Sequence, residues 1–271
     1  MRALIIVCCF TFLIHAFEMF AYSIRLAGIR TRHVATSITF VNVCFLIARL
    51  SNMFQAPLLG TMVDGAINNN TVPELGNLFR IVIFAAFLGN VFAALLLPSG
   101  VVIFEKAIKR FEKVGSLPRV FFSGLIPRNF VKVIFSLRLP KFKSLPRFRL
   151  DGVPKTFLFL NMFVVSIYAI GVLASLFAGA KIPMYRATAI QLSGIVNGIA
   201  TIMFVLFVDP PSAHLTDQCV HGKKSYDVMR TVVFYLAMGR IAGTLLISQL
   251  IFFPATDYIL GVVKVLVQFF K

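Results

Sequence analysis

Acidic side chains are scarce in this chain. Ten Asp and Glu stand against 27 Lys and Arg in 271 residues, a formal net charge of +17, and only Glu18 is an acid in the middle of a long apolar segment. The four cysteines (Cys8, Cys9, Cys44, Cys219) include no CxxC spacing, and three lie inside apolar segments, where a thiol behaves as a small apolar side chain. A disulfide framework is therefore not indicated. The apolar segments also lack paired carboxylates, a nucleophile beside a base, a phosphate-binding loop and HExxH. These absences leave no catalytic residue to assign, no cofactor to expect and no reason to read an enzyme.

What the chain has is hydrophobicity. Apolar residues make up 59% of it and the mean hydropathy is +0.89, far above a soluble domain. Several runs exceed the roughly 18 apolar residues that mark a transmembrane helix. The pattern predicts an all-α polytopic membrane protein with six transmembrane helices, at about 3–24, 34–62, 78–103, 156–177, 187–208 and 231–253. The first could be taken for a signal peptide, but its polar residues continue down one side, which favours a retained helix. The second is too long for a straight crossing and predicts a kink or break near Pro57.

Between the third and fourth spans, Glu105–Lys155 holds 13 Lys and Arg against Glu105, Glu112 and Asp151, a net +10 of the chain's +17. By the positive-inside rule this basic segment is cytoplasmic, which puts the N-terminus outside. Interleaved Phe and Lys/Arg in Arg138–Arg149, with Pro127, Pro140 and Pro146 nearby, read as an amphipathic stretch on anionic lipid rather than a nucleic-acid site. The expected organisation is a first membrane repeat at 1–104, a basic linker at 105–155, a second repeat at 156–253 and an amphipathic C-terminal helix at 254–271 after Pro254.

The word repeat rests on a shift of 150 residues. Phe79–Leu97 then overlies Met229–Ile247, matching Arg80 with Arg230, Gly89 with Gly239 and Leu95-Leu96 with Leu245-Leu246. Ala27-Gly28 and Ala178-Gly179 hold corresponding earlier positions. Three spans per copy is an odd number, so the second copy enters from the opposite face. This is a 3+3 inverted repeat, a plan in which transporters place the substrate near the midplane.

Three polar stripes follow helical spacing. His15, Glu18, Tyr22 and Arg25 share one face of the first span; Asn42, Arg49 and Asn52, with Gln55 nearby, mark the second; Arg240, Thr244 and Ser248 mark the sixth. A charge at the bilayer centre costs about 3 kcal/mol on insertion scales. One acid cannot neutralise both Arg49 and Arg240, so the surplus asks for an anionic ligand, and arginine's planar fork suits a phosphate. Candidate binding residues are Arg49, Arg240, Arg25, Arg30, Asn42, Asn52 and Gln55; Glu18, His15 and Tyr22 are candidates for charge pairing or proton coupling. The plainer alternative is a Glu18–Arg49 salt bridge that only ties two helices together. The stretch Asp209–His221 carries His214, Asp217, Cys219 and His221, but at no zinc spacing, and reads as a solvated turn with no metal.

Two stretches carry a family resemblance. Tyr22-Ser-Ile-Arg-Leu-Ala-Gly-Ile-Arg-Thr-Arg32, followed by Ala48-Arg-Leu-Ser-Asn-Met-Phe-Gln-Ala-Pro-Leu-Leu-Gly-Thr-Met-Val-Asp64, resembles the Amj family, bacterial lipid II flippases alternate to MurJ. The resemblance implies a multi-pass protein of the bacterial plasma membrane. It would move the undecaprenyl-pyrophosphate-linked peptidoglycan precursor, lipid II, from the inner to the outer leaflet. It carries no residue-level mechanism. The alternatives are a transporter of a smaller anion or of a recycled polyprenyl phosphate, and, further off, a membrane metal enzyme.

Overall fold

A computed structural model describes residues 1–125 and 155–269. The Arg138–Arg149 stretch and the prolines at 127, 140 and 146 lie outside the described residues. The described chain is helical: α1 (Arg2–Thr31), α2 (Val34–Asn68), α3 (Val72–Leu95), α4 (Leu97–Val114), α5 (Leu117–Leu125), α6 (Lys155–Lys181), α7 (Arg186–Met203), α8 (Asp209–Val220), α9 (Tyr226–Ala242) and α10 (Ser248–Phe269). Six runs are long and apolar enough to cross a membrane, the fifth being Pro183–Val220 and the sixth Tyr226–Phe269. Helices are what hydrocarbon demands, since each backbone N–H and C=O must then find its partner within the segment.

Prolines shape these spans in three ways. Pro98, which lacks an N–H and crowds the carbonyl four residues back, ends α3 at Leu95. The expected 78–103 span is therefore corrected: it starts at Val72, and residues from Leu97 onward form the separate helix α4. That helix buries Val101 and Ile108 and exposes Lys106, Lys109, Arg110 and Lys113. Pro210 and Pro211 remove two helical donors, and the five residues before Asp209, Phe204–Val208, widen into a π turn. The expected solvated turn at Asp209–His221 is instead α8, continuing the fifth span. Pro57 and Pro254 both sit inside helices. The tail from 254 is thus the distal part of the sixth span, and its Ile259 and Val263 belong to the main apolar core.

The helices meet at two ends. At the basic end, Leu26 and Ile29 of α1 pack with Val101, Phe157, Leu215 and Met229. At the far end, Leu59 and Val63 of α2 pack with Phe79, Phe177, Ala189, Leu192 and Phe252. The first hairpin closes in a Schellman arrangement: Arg32 N–H donates to Ile29 C=O at 3.2 Å and His33 N–H to Gly28 C=O at 3.1 Å. α2 packs chiefly on α1 and the fifth span chiefly on α6.

Candidate functional site

Charged and hydroxyl side chains from four spans share one depth. Counted from the basic end, Glu18 stands 13 residues from Thr31, Arg49 15 from Val34, Tyr168 13 from Lys155 and Arg240 14 from Tyr226. At 1.5 Å per residue each lies about 20 Å in, near the middle of its span.

The centre of this layer is a closed network. Arg240 donates from Nη2 to Glu18 Oε2 at 2.6 Å and from Nε to Asn90 Oδ1 at 3.3 Å. Asn90 Nδ2 donates to Thr244 Oγ1 at 3.3 Å, and Thr244 in turn donates to the Arg240 carbonyl at 2.8 Å. The Tyr22 hydroxyl donates to Asn161 Oδ1 at 3.5 Å and also contacts the guanidinium. Small residues make this possible: Ala16, Ala93 and Ala237 line the crossing of α1, α3 and α9, and at Gly89 any Cβ would collide with the Phe12 carbonyl of α1. The two partners differ in surroundings. The Arg240 side chain is 9% exposed and Glu18 31%, so the carboxylate borders open space while the guanidinium is held in the protein.

Arg49 is not part of this network. The face that α2 buries runs through Cys44, Ala48, Ser51, Gln55 and Leu59; the exposed stripe is Asn42, Leu46, Arg49 and Met53, at i, i+4, i+7 and i+11. Arg49 makes no hydrogen bond or ion pair with the described residues. Glu18 pairs with Arg240, not with Arg49.

The remaining candidates scatter. His15 is buried, with Nδ1 unpartnered among the described residues. Gln55 accepts from Thr11 at 3.0 Å and donates to Asn52 at 3.2 Å, which joins α1 to α2. Asn42 is exposed beside Arg49 on the same stripe. Arg25 contacts Ser212 and pairs with Asp209 at 3.4 Å, and Arg30 pairs with Glu105 at 3.8 Å, so both rim cations have acids beside them. His214 bonds Gln218 and His221 bonds Asp217, each one turn apart along α8, and no group of three metal-type ligands converges among the described residues.

Sequence spacing did not single out Tyr168. This side chain, 37% exposed, donates to Thr201 Oγ1 at 2.7 Å and lies within electrostatic reach of Glu18. The available signal was its depth: a tyrosine 13 residues into an apolar helix, level with Glu18.

The family model described as Amj: Alternate to MurJ matches residues 10–263, a stretch that includes Glu18, Arg49 and Arg240. The chain belongs to the Amj family. The lipid II flippase Amj of Bacillus subtilis (strain 168) is 38% identical over 257 residues, covering 94% of this chain and 95% of that protein. No solved structure matches the chain. With six apolar helices and this membership, it is a multi-pass membrane protein.

Proposed function

We propose that this Amj family member moves lipid II from the inner to the outer leaflet of the plasma membrane, the activity named for its Bacillus subtilis relative. The observation that carries a site to this reading is Arg49. A mid-span guanidinium without an acid costs about 3 kcal/mol against hydrocarbon, and intramembrane charges almost always face a bundle interior or a water-filled cavity. A diphosphate supplies the missing anion, and its two groups match the forked donors of arginine. The exposed apolar neighbours Leu46, Leu50 and Met53 offer the same stripe to a polyprenyl chain.

Orientation follows from charge. Arg25, Arg30, Arg32, Lys106, Lys109, Arg110, Lys113, Lys223 and Lys224 gather at one end, which faces the cytoplasm under the positive-inside rule and leaves the N-terminus outside. At the outer end α2 meets the start of α7 through Asp64–Arg186 and the apolar layer of Leu59, Val63, Ala189 and Leu192. Glu18, 31% exposed, and the exposed Arg49 lie on the basic side of that closure, the placement expected of an inward-facing carrier. The inverted repeat is supported by the Asn90–Arg240 bond, because these positions coincide under the 150-residue shift and residues near a two-fold axis meet their own counterparts. Glu18 then offsets the charge of Arg240 until the headgroup competes for it.

The test is rescue of cells depleted of their other lipid II flippase, with surface-exposed lipid II as the readout. Wild-type protein restores it. Arg49→Ala, present at wild-type level, does not; rescue by that variant removes Arg49 from the site.

A further inference from the structure

A separate cavity of about 420 Å³ opens at the basic end, between the end of α1, the end of α8 and the start of α9. Its lining includes Ile29, Arg30, Arg32, Cys219, His221 and Tyr226. It lies about 20 Å from the mid-depth network along α1, so it is a different place from the site around Arg49.

Arg30 is fixed before any ligand arrives. Its guanidinium sits 5.0 Å from the centre of the Tyr226 ring and 3.8 Å from the Glu105 carboxylate. Arg32 is exposed, caps α1 in the left-handed conformation with φ 59°, and has no ion pair with the described residues. The turn beneath it carries Lys223 and Lys224. Arg30 and Arg32 line the cavity itself, and the acids nearest to it are all engaged: Glu105 is shared between Arg30 and Lys109, Asp217 pairs with His221 at 3.1 Å and Asp227 with Arg230 at 2.9 Å. The balance is positive, the donors are guanidinium forks, and the size suits a diphosphate with part of an attached sugar.

We propose that this cavity is a phosphate-binding entry site on the cytoplasmic side. It takes the diphosphate of a lipid headgroup before that group reaches the middle of the bundle. Arg32, Arg30 and Arg25 then form a descending series of cations along α1 that ends at Tyr22 and the Glu18–Arg240 pair. This assignment rests on the exporter reading for its lipid source, and on the cavity alone for its phosphate chemistry.

The test is binding, not transport. Undecaprenyl diphosphate and, separately, inorganic diphosphate are titrated onto the full-length protein in nanodiscs, for wild type, Arg32→Gly and Arg32→Lys. Glycine is the residue a left-handed helix cap prefers, so Arg32→Gly keeps or raises the melting temperature while it removes the guanidinium. We expect it to weaken both ligands about tenfold or more, as loss of a charge-assisted phosphate contact does, with partial recovery in Arg32→Lys. If only inorganic diphosphate binds and responds to Arg32, the phosphate cavity stands and the lipid exporter reading loses its support. If binding is the same in Arg32→Gly as in wild type, or wild type binds neither probe, the entry site is overturned.

Discussion

Glu18 and Arg240, 222 positions apart in the chain, meet at 2.6 Å in the middle of the bundle. The pair fastens α1 of the first three helices to α9 of the last three, and the guanidinium is the more deeply buried partner. Removing the acid leaves that buried charge uncompensated. Glu18→Ala therefore lowers stability by about 3 kcal/mol, seen as a reduced midpoint in thermal unfolding of the protein in detergent. Glu18→Gln combined with Arg240→Gln destabilises less than Glu18→Ala alone, because no net charge stays buried; a double variant worse than the single would refute the pairing.

Arg49 predicts the opposite balance. With no partner among the described residues it contributes little to folding, so Arg49→Ala shifts unfolding by no more than about 0.5 kcal/mol while transport fails. The comparison of the two arginines in one unfolding assay separates an arginine that holds helices from one that does not.

Gly89 is a steric prediction. A methyl group there has the Phe12 backbone in its place, and α1 and α3 must part to admit it. Gly89→Ala is expected to cost about 1–3 kcal/mol, as overpacking does. Gly60→Ala on α2 meets nothing within 4 Å and gains helix propensity, so its melting temperature stays level or rises. Equal effects at the two glycines would contradict the packing of α1 on α3.

Asp64 and Arg186 clasp the end of the bundle far from the basic one, which is the outer end in the proposed orientation. In a background without the four native cysteines, Thr201→Cys is expected to react with a membrane-impermeant thiol reagent from outside faster once Asp64→Arg is added. Arg186→Asp added to that variant restores protection. Labelling that ignores both charge changes would place the closure elsewhere.

Much of this architecture was legible beforehand, and the exceptions have physical causes. Length and hydrophobicity set the six spans, because hydrocarbon tolerates few other backbones. Which arginine takes Glu18 was not legible: helical spacing lists the residues on a face of α1, but the rotation of α9 is set by the small residues at its crossing, Ala16, Ala93 and Ala237, and α2 buries its own small residues Ala48 and Ser51 instead of Arg49. Proline was ambiguous in the same way. Pro98 ends a helix, Pro57 and Pro254 do not, and Pro210-Pro211 are absorbed by a π turn; the flanking contacts decide, not the residue. Tyr168 escaped notice because one tyrosine in an apolar helix has no periodic partner until Thr201 is brought beside it.

The fifth span carries a last implication. Its apolar part is the 18 residues of α7 and the 5 of the π turn, about 35 Å at 1.5 Å per residue, against a hydrocarbon layer of about 30 Å, and the polar α8 prolongs it at the basic end. Along its most apolar stretch only 11% of residues are buried within the protein, against 50% for the fourth span, so little of its surface is packed on other helices. A helix somewhat longer than that layer and so loosely held sets its tilt by the thickness of the bilayer. Acyl-chain length is then a control on how far α7 leans from α6, and membranes of different thickness should give this protein different resting openings.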